Sequence, residues 1–232
     1  MTGREGLRDV LDGGGFAVTA ECGPPRGADR SVVVAKGNLL KPFVHAVNVT
    51  DNQTAQVRMS SLAACLILQG EGIEPVMQMT CRDRNRIALQ SDLIGAGALG
   101  IRNVLCLSGD HQSLGDHKGA KNVFDIDSVH LIRAARRMVD DGVLMNGKEL
   151  TVRPQFFVGA VENPFSLSPK IRAYRLAKKI AAGARFIQTQ SVFDIDIFLS
   201  WMEEVRNLGL HEKTYILAGI TPLKSVRMAK YL

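Results

Sequence analysis

The chain has 232 residues, 46% of them hydrophobic and 22% charged, which supplies one sizeable core and excludes a disordered segment. Its net charge of +6 is spread over Arg82/Arg84/Arg86, Arg133/Arg136/Arg137, Lys178/Lys179 and Lys224/Arg227/Lys230 without interleaved aromatics, a pattern of solvated helix faces that argues against a nucleic-acid partner. The four cysteines have no CxxC spacing, the start lacks the apolar core of a signal peptide, and no apolar run approaches the roughly 20 residues of a membrane span, so a reduced, cytoplasmic protein without a zinc or iron–sulfur site of its own is expected.

Apolar, β-rich runs alternate with helical patterns from end to end. The first run, 16–21, delivers an acid, Glu21, directly into a Gly-Pro-Pro turn. Two prolines fix φ and stop the strand, so this carboxylate is held at a strand end, where a charge is expensive unless it does chemistry or makes one specific pair. Further strands are expected at 43–49, 75–80, 103–107, 153–161, 185–190 and 213–218, each followed by a helix. Residues 60–69 form a helix dense in Leu, Ala and Ile that stops at Gly70. Residues 171–182 carry Ala173, Leu176, Ala177 and Ile180 at i, i+3, i+4, i+7 and stop at Gly183.

Unbroken βα repetition predicts an α/β fold, a (β/α)8 TIM barrel in preference to an open Rossmann sheet, and no GxGxxG follows the first strand. The repeat supplies seven βα units and reaches Leu232 inside the seventh helix, so the last unit is expected to be missing from this chain. The stretch 108–126, rich in Gly, Asp, His and Lys, is a long loop of the kind that usually carries function.

Side chains alternate along a strand, so parity sorts faces. Thr19 and Glu21, Asn48 and Thr50, Gln78 and Thr80, Ser108 and Asp110, Glu162 with Ala160 and Val158, and Gln188 and Gln190 are expected to share the inner face toward the strands' carboxyl ends. Ala17, Val47, Val49, Met77, Met79, Leu105, Leu107 and Val161 are expected to face the helices. Taken singly, Asp51 and Asp110 read equally well as helix N-caps and Asn48 as a core hydrogen-bond hub. Six strands ending in inward polar groups describe the catalytic mouth of a barrel. The scattered histidines give no metal cluster, although His111, next to Asp110, is placed to meet a ligand. No Ser/His/Asp arrangement or strand lysine for a Schiff base is present. A mouth of amides, hydroxyls and a few acids suits a polar heterocycle read by hydrogen bonds, and hydride chemistry there would need a cofactor.

The segments AECGPPRGAD from Ala20, HAVNVTDN from His45, QMTCRDRN from Gln78, VLCLSGDH from Val104, AAGARFIQTQSVFD from Ala181 and AGITPL from Ala218 span nearly the whole chain. In this order they resemble the bacterial, flavin-containing methylenetetrahydrofolate reductases. The resemblance implies one flavin-binding barrel domain over 1–232 with FAD, or alternatively FMN. It implies reduction of 5,10-methylenetetrahydrofolate to 5-methyltetrahydrofolate by hydride from flavin N5, with electrons from NAD(P)H or an iron–sulfur partner subunit, in an oligomer. By position, Glu21 matches the general acid that protonates folate N10. Asp110 matches an acid near the flavin pyrimidine edge and the pterin, and Gln190 an amide that binds the pterin. Thr50, Gln78, Ser108, Gly109, Asp110, Lys179 and Ala184 match flavin-contact positions.

Burial beside the flavin would raise the Glu21 pKa, as suits a general acid. Ser108 stands where relatives have Arg, Gln78 where His is common, Val161 for an aromatic residue, and Arg172 at a position often acidic. The Glu-x-Gly-Pro-Pro form of the first motif is similar to the acetogen-like subgroup, some of whose members work with an iron–sulfur partner. Two other outcomes stay open: a flavin-binding electron relay active only in a complex, and another pterin-binding barrel enzyme.

Overall fold

The computed structural model describes residues 5–166 and 168–231. A short helix, α1 (Leu7–Asp12), comes before the first strand. The strands are β1 (Thr19–Cys22), β2 (Ala46–Val49), β3 (Pro75–Thr80), β4 (Asn103–Leu107), β5 (Phe157–Glu162), β6 (Phe186–Ser191) and β7 (Tyr215–Gly219). Each is followed by a helix: α2 (Arg30–Leu40), α3 (Ser61–Gly70), α4 (Arg86–Ala98), α5 (Ser128–Asp140), α6 (Pro169–Ala181), α7 (Ile195–Asn207) and α8 (Val226–Tyr231). All seven strands are parallel and pair in sequence order, so β1 and β7 are the edges.

Local chemistry sets the helix starts. Asp29, Ser60, Asn85, Asp127 and Asp194 each accept a backbone N–H of the first turn of α2, α3, α4, α5 and α7. The strands β2 and β3 are buried along their whole length, as parallel strands covered on both faces must be.

Two apolar layers result. Val47, Val49, Met77, Met79, Val104, Cys106, Val158, Ala160 and Ile187 pack against the helices. Ala46, Val76, Leu105, Phe157 and Phe186, with Ala17, Leu107, Val161, Tyr215 and Leu217, meet inside the curled sheet. That inner cluster draws on every strand from β2 to β7, so the sheet curves around it. Leu7 of α1 joins the cluster, fully buried. Phe157 stacks on Phe186 with ring centroids 5.0 Å apart, and Gly159 makes this possible: a Cβ there would sit 2.3 Å from the Phe186 ring.

Several expectations are corrected. Ala17, Leu105, Leu107 and Val161 face the interior, not the helices. On β5 this inverts the face assignment: Val158 and Ala160 lie in the helix layer, and Glu162 turns with them because its carboxylate meets Lys179 of α6. On β4 the alternation ends at Leu107, since Gly109 has φ +90° and extended counting no longer applies. The first strand starts three residues late, with Phe16 exposed beyond a run of glycines, and β5 begins at Phe157 instead of 153.

Candidate active site

The carboxyl ends of the strands open onto a cavity of about 650 Å³, a size that holds a cofactor or a drug-sized ligand. The loops after β2, β3, β4 and β5 wall it, with α6 and the end of β6. Glu21, Thr50, Gln78, Ser108, Gly109, Asp110, Lys179 and Gln190 all line it, together with Gln188 and Glu162. Ala184 does not. It lies before β6 at the opposite end of the barrel, fully buried against the helix layer.

Glu21 stands at the lip of β1, in register with Asn48 of β2. The protein around it thins the water and pushes its carboxyl above the usual glutamate range, while a hydrogen bond from Gln53 draws it partly back. Asn48 donates its amide to Thr19 Oγ1 at 3.2 Å but leaves its own oxygen without a partner. Thr50, 2% exposed, likewise has an unpartnered hydroxyl. Such buried orphans are rare and point to a missing ligand or water.

Asp110 is exposed on the loop after β4. Its Oδ2 accepts the Thr54 backbone N–H at 2.9 Å, which joins this loop to the turn after β2. Ser108 carries its hydroxyl 3.3 Å from that of Ser128 at the start of α5. Neither Asp51 nor Asp110 caps a helix. His111 turns its ring back onto Ser113 and caps a short 3₁₀ turn, Gln112–Leu114. Among the described residues no group of three or more His, Cys, Asp or Glu is arranged to hold a metal ion, and no helix is long and apolar enough to cross a membrane.

Arg82 and Arg84 correct the expectation of solvated basic faces. They lie in the β3–α4 loop, and Arg82 is only 2% exposed. Arg84 forks onto Asp51 at 2.8 and 3.0 Å, and Asp51 also accepts the Thr80 N–H and hydroxyl at 2.9 and 3.0 Å. Lys179, the last turn of α6, reaches Glu162 Oε2 at 2.9 Å and the Val161 carbonyl. The sequence analysis missed Gln53, Thr54 and Arg82 as lining residues, and Arg84 as the partner of Asp51. For the two arginines the signal was the Arg-Asp-Arg alternation at a strand end, next to the Asp51 carboxylate of the previous unit; Gln53 and Thr54 carried none.

A family model described as methylenetetrahydrofolate reductase matches residues 6–232. Among curated proteins, methylenetetrahydrofolate reductase 1 of Schizosaccharomyces pombe is 28% identical over 169 residues, covering 68% of this chain and 25% of that protein. A probable methylenetetrahydrofolate reductase (NADPH) of Caenorhabditis elegans is 25% identical over 180 residues, covering 75% and 24%. The chain thus spans about a quarter of the length of these relatives.

A solved structure from Clostridium thermocellum, titled as an uncharacterized protein that binds two copies of 5-methyl-5,6,7,8-tetrahydrofolic acid, superposes with a TM-score of 0.63 at 11% identity, covering 97% of this chain and 74% of that one. A 2,3-dimethylmalate lyase superposes with a TM-score of 0.59 at 16% identity, covering 97% and 76%. Likeness at such identity speaks for the fold alone. The family model, running along the chain from α1 to α8, speaks for more: the chain belongs to the methylenetetrahydrofolate reductase family.

Proposed function

We propose that this chain is a single flavin-binding barrel domain that reduces 5,10-methylenetetrahydrofolate to 5-methyltetrahydrofolate, with Glu21 as general acid. The observation that carries the proposal is the cavity itself: Glu21, Asp110 and Gln190 line one mouth with the orphaned Thr50 hydroxyl and the Gln78 amide.

The residues present suit a flavin. Side-chain amides of Gln53, Gln78, Gln188 and Gln190 offer both donors and acceptors, which matches the alternating edge of a pyrimidine-fused ring. Thr50, Gln78, Ser108 and Gly109 would hold it, and FAD and FMN both fit this donor set. When bound, the flavin supplies the hydride, and electrons reach it from NAD(P)H or from a partner protein. The protein around Glu21 raises its pKa above the ordinary glutamate value, which favours the protonated form, and in this reading Glu21 delivers its proton to folate N10. Asp110, fixed by the Thr54 N–H, presents a negative charge to the ligands, and Gln190 orients the pterin by its amide.

The test is an absorbance spectrum of the purified protein followed by assay of Glu21→Gln. Bound FAD or FMN is expected, and the substitution should leave flavin reduction intact while folate reduction falls about a hundredfold or more. A colourless protein that takes up neither flavin overturns the proposal.

A further inference from the structure

Arg82 is the least exposed cation at the mouth, 2% exposed. Every one of its hydrogen bonds goes to a strand-end loop. Nε and Nη2 grip the Asp83 carboxylate at 2.8 and 2.7 Å. The same Nη2 reaches the Asn52 carbonyl in the loop after β2 at 3.1 Å, and Nη1 reaches the Asp110 carbonyl in the loop after β4, also at 3.1 Å. Its backbone carbonyl accepts the Val123 N–H at 2.8 Å, which ties down the far end of the long β4–α5 loop.

The loop after β2, which Arg82 joins, is strained. Asn52, Thr54 and Ala55 all have positive φ, at 47°, 55° and 54°, without being glycine. Such residues are costly and persist only where their surroundings over-determine them. Thr54 contributes the N–H that fixes Asp110 Oδ2. The two ends of that hydrogen bond lie on different loops, and the guanidinium holds the main chain of both. A planar fork with fixed donor directions can do this; a flexible ammonium cannot.

We propose that Arg82 is a positioning residue that sets the Asp110 carboxylate in the mouth by cross-linking the loops after β2, β3 and β4. The step from carboxylate position to turnover rests on the reductase proposal above; the positioning itself does not.

The test separates the two. In Arg82→Lys, measured on the full chain, amide hydrogen exchange at Thr54 and over 109–111 should accelerate about tenfold or more, with the amides of β3 and β4 unchanged. Asp83→Asn, which loosens the grip on Arg82 without removing it, should act in the same direction and more weakly. Unchanged Thr54 exchange, or acceleration spread evenly over the strands, overturns the proposal. In the assay, Arg82→Lys should lower kcat/KM for methylenetetrahydrofolate about tenfold when Asp110 is present and less than about twofold in the Asp110→Asn background. An equal loss in both backgrounds overturns the inference, because Arg82 would then act without Asp110. If the exchange result holds while the wild-type chain turns over no folate, the positioning stands and the reductase proposal falls.

Discussion

The Glu162 carboxylate and the Lys179 ammonium meet at 2.9 Å with side chains only 1% and 10% exposed, which makes them a buried ion pair in the wall of the mouth. Lys179 also donates to the Val161 carbonyl, so two of its three donors are spent inside the protein. Any contact with a bound cofactor uses the third. Removing one partner of such a pair strands a buried charge, whereas removing both does not. Lys179→Met is therefore expected to lose about 3–5 kcal/mol in urea denaturation, and the Glu162→Gln/Lys179→Met double variant to recover most of it.

The Glu21 carboxyl gives a pH signature. Loss of water around it raises its pKa, and the Gln53 hydrogen bond opposes the shift without reversing it. The proposed folate reduction would use the protonated form, so kcat/KM should fall as pH rises through the raised value, and Glu21→Gln should lack that limb. The folded chain binds this proton more tightly than the unfolded chain does. The resulting stability is fully present below the ordinary glutamate pKa and is lost as pH rises through the folded value. Glu21→Gln should accordingly gain stability relative to wild type between acid and neutral pH, as denaturation at about pH 4 and about pH 8 will show.

How far the sequence anticipates the site depends on whether a residue lies on a strand or after it. β3 and β4 match their expected bounds because each is a short, mainly apolar run set between turn residues and a helix start. Thr19, Glu21, Asn48, Gln78 and Gln188 face inward as parity requires. Parity fails where its premise fails. Asp110 reaches the mouth through the positive φ of Gly109, and Glu162 leaves the inner face to meet a lysine 17 residues away. The Asp51–Arg84 and Arg82–Asp110 links join loops 28 to 33 residues apart, and periodicity carries no information on such pairings. Local charge spacing therefore led to solvated faces where the fold builds a buried network.

The thiols offer a test of the core rather than the mouth. Cys22, Cys65, Cys81 and Cys106 are all free and buried. Burial pushes the Cys81 thiol up to about 12 and raises the other three as well. Thiolate is the reactive form, so the native chain should be inert to a thiol-specific chromogenic disulfide at about pH 8. Unfolding in guanidinium should release all four. Rapid labelling of the native chain would show that the helix layer is open where the structure has it closed.

Gly109 links the backbone to the chemistry. It holds φ at +90°, and a Cβ there would stand 3.0 Å from Thr80 Cβ and 3.2 Å from Arg82 Cβ. Both neighbours are anchored, Thr80 by Asp51 and Arg82 by Asp83, so neither yields freely. Gly109→Ala is expected to lose about 1–3 kcal/mol of stability from backbone strain, with a further loss of flavin affinity because Asp110 follows directly in the chain. Gly27→Ala is the matched control: it lies on the loop after β1 with open space around its Cβ position. That substitution should stay within about 0.5 kcal/mol of wild type and bind flavin unchanged. If both variants bind flavin equally well, the turn at Gly109 does not shape the cofactor site.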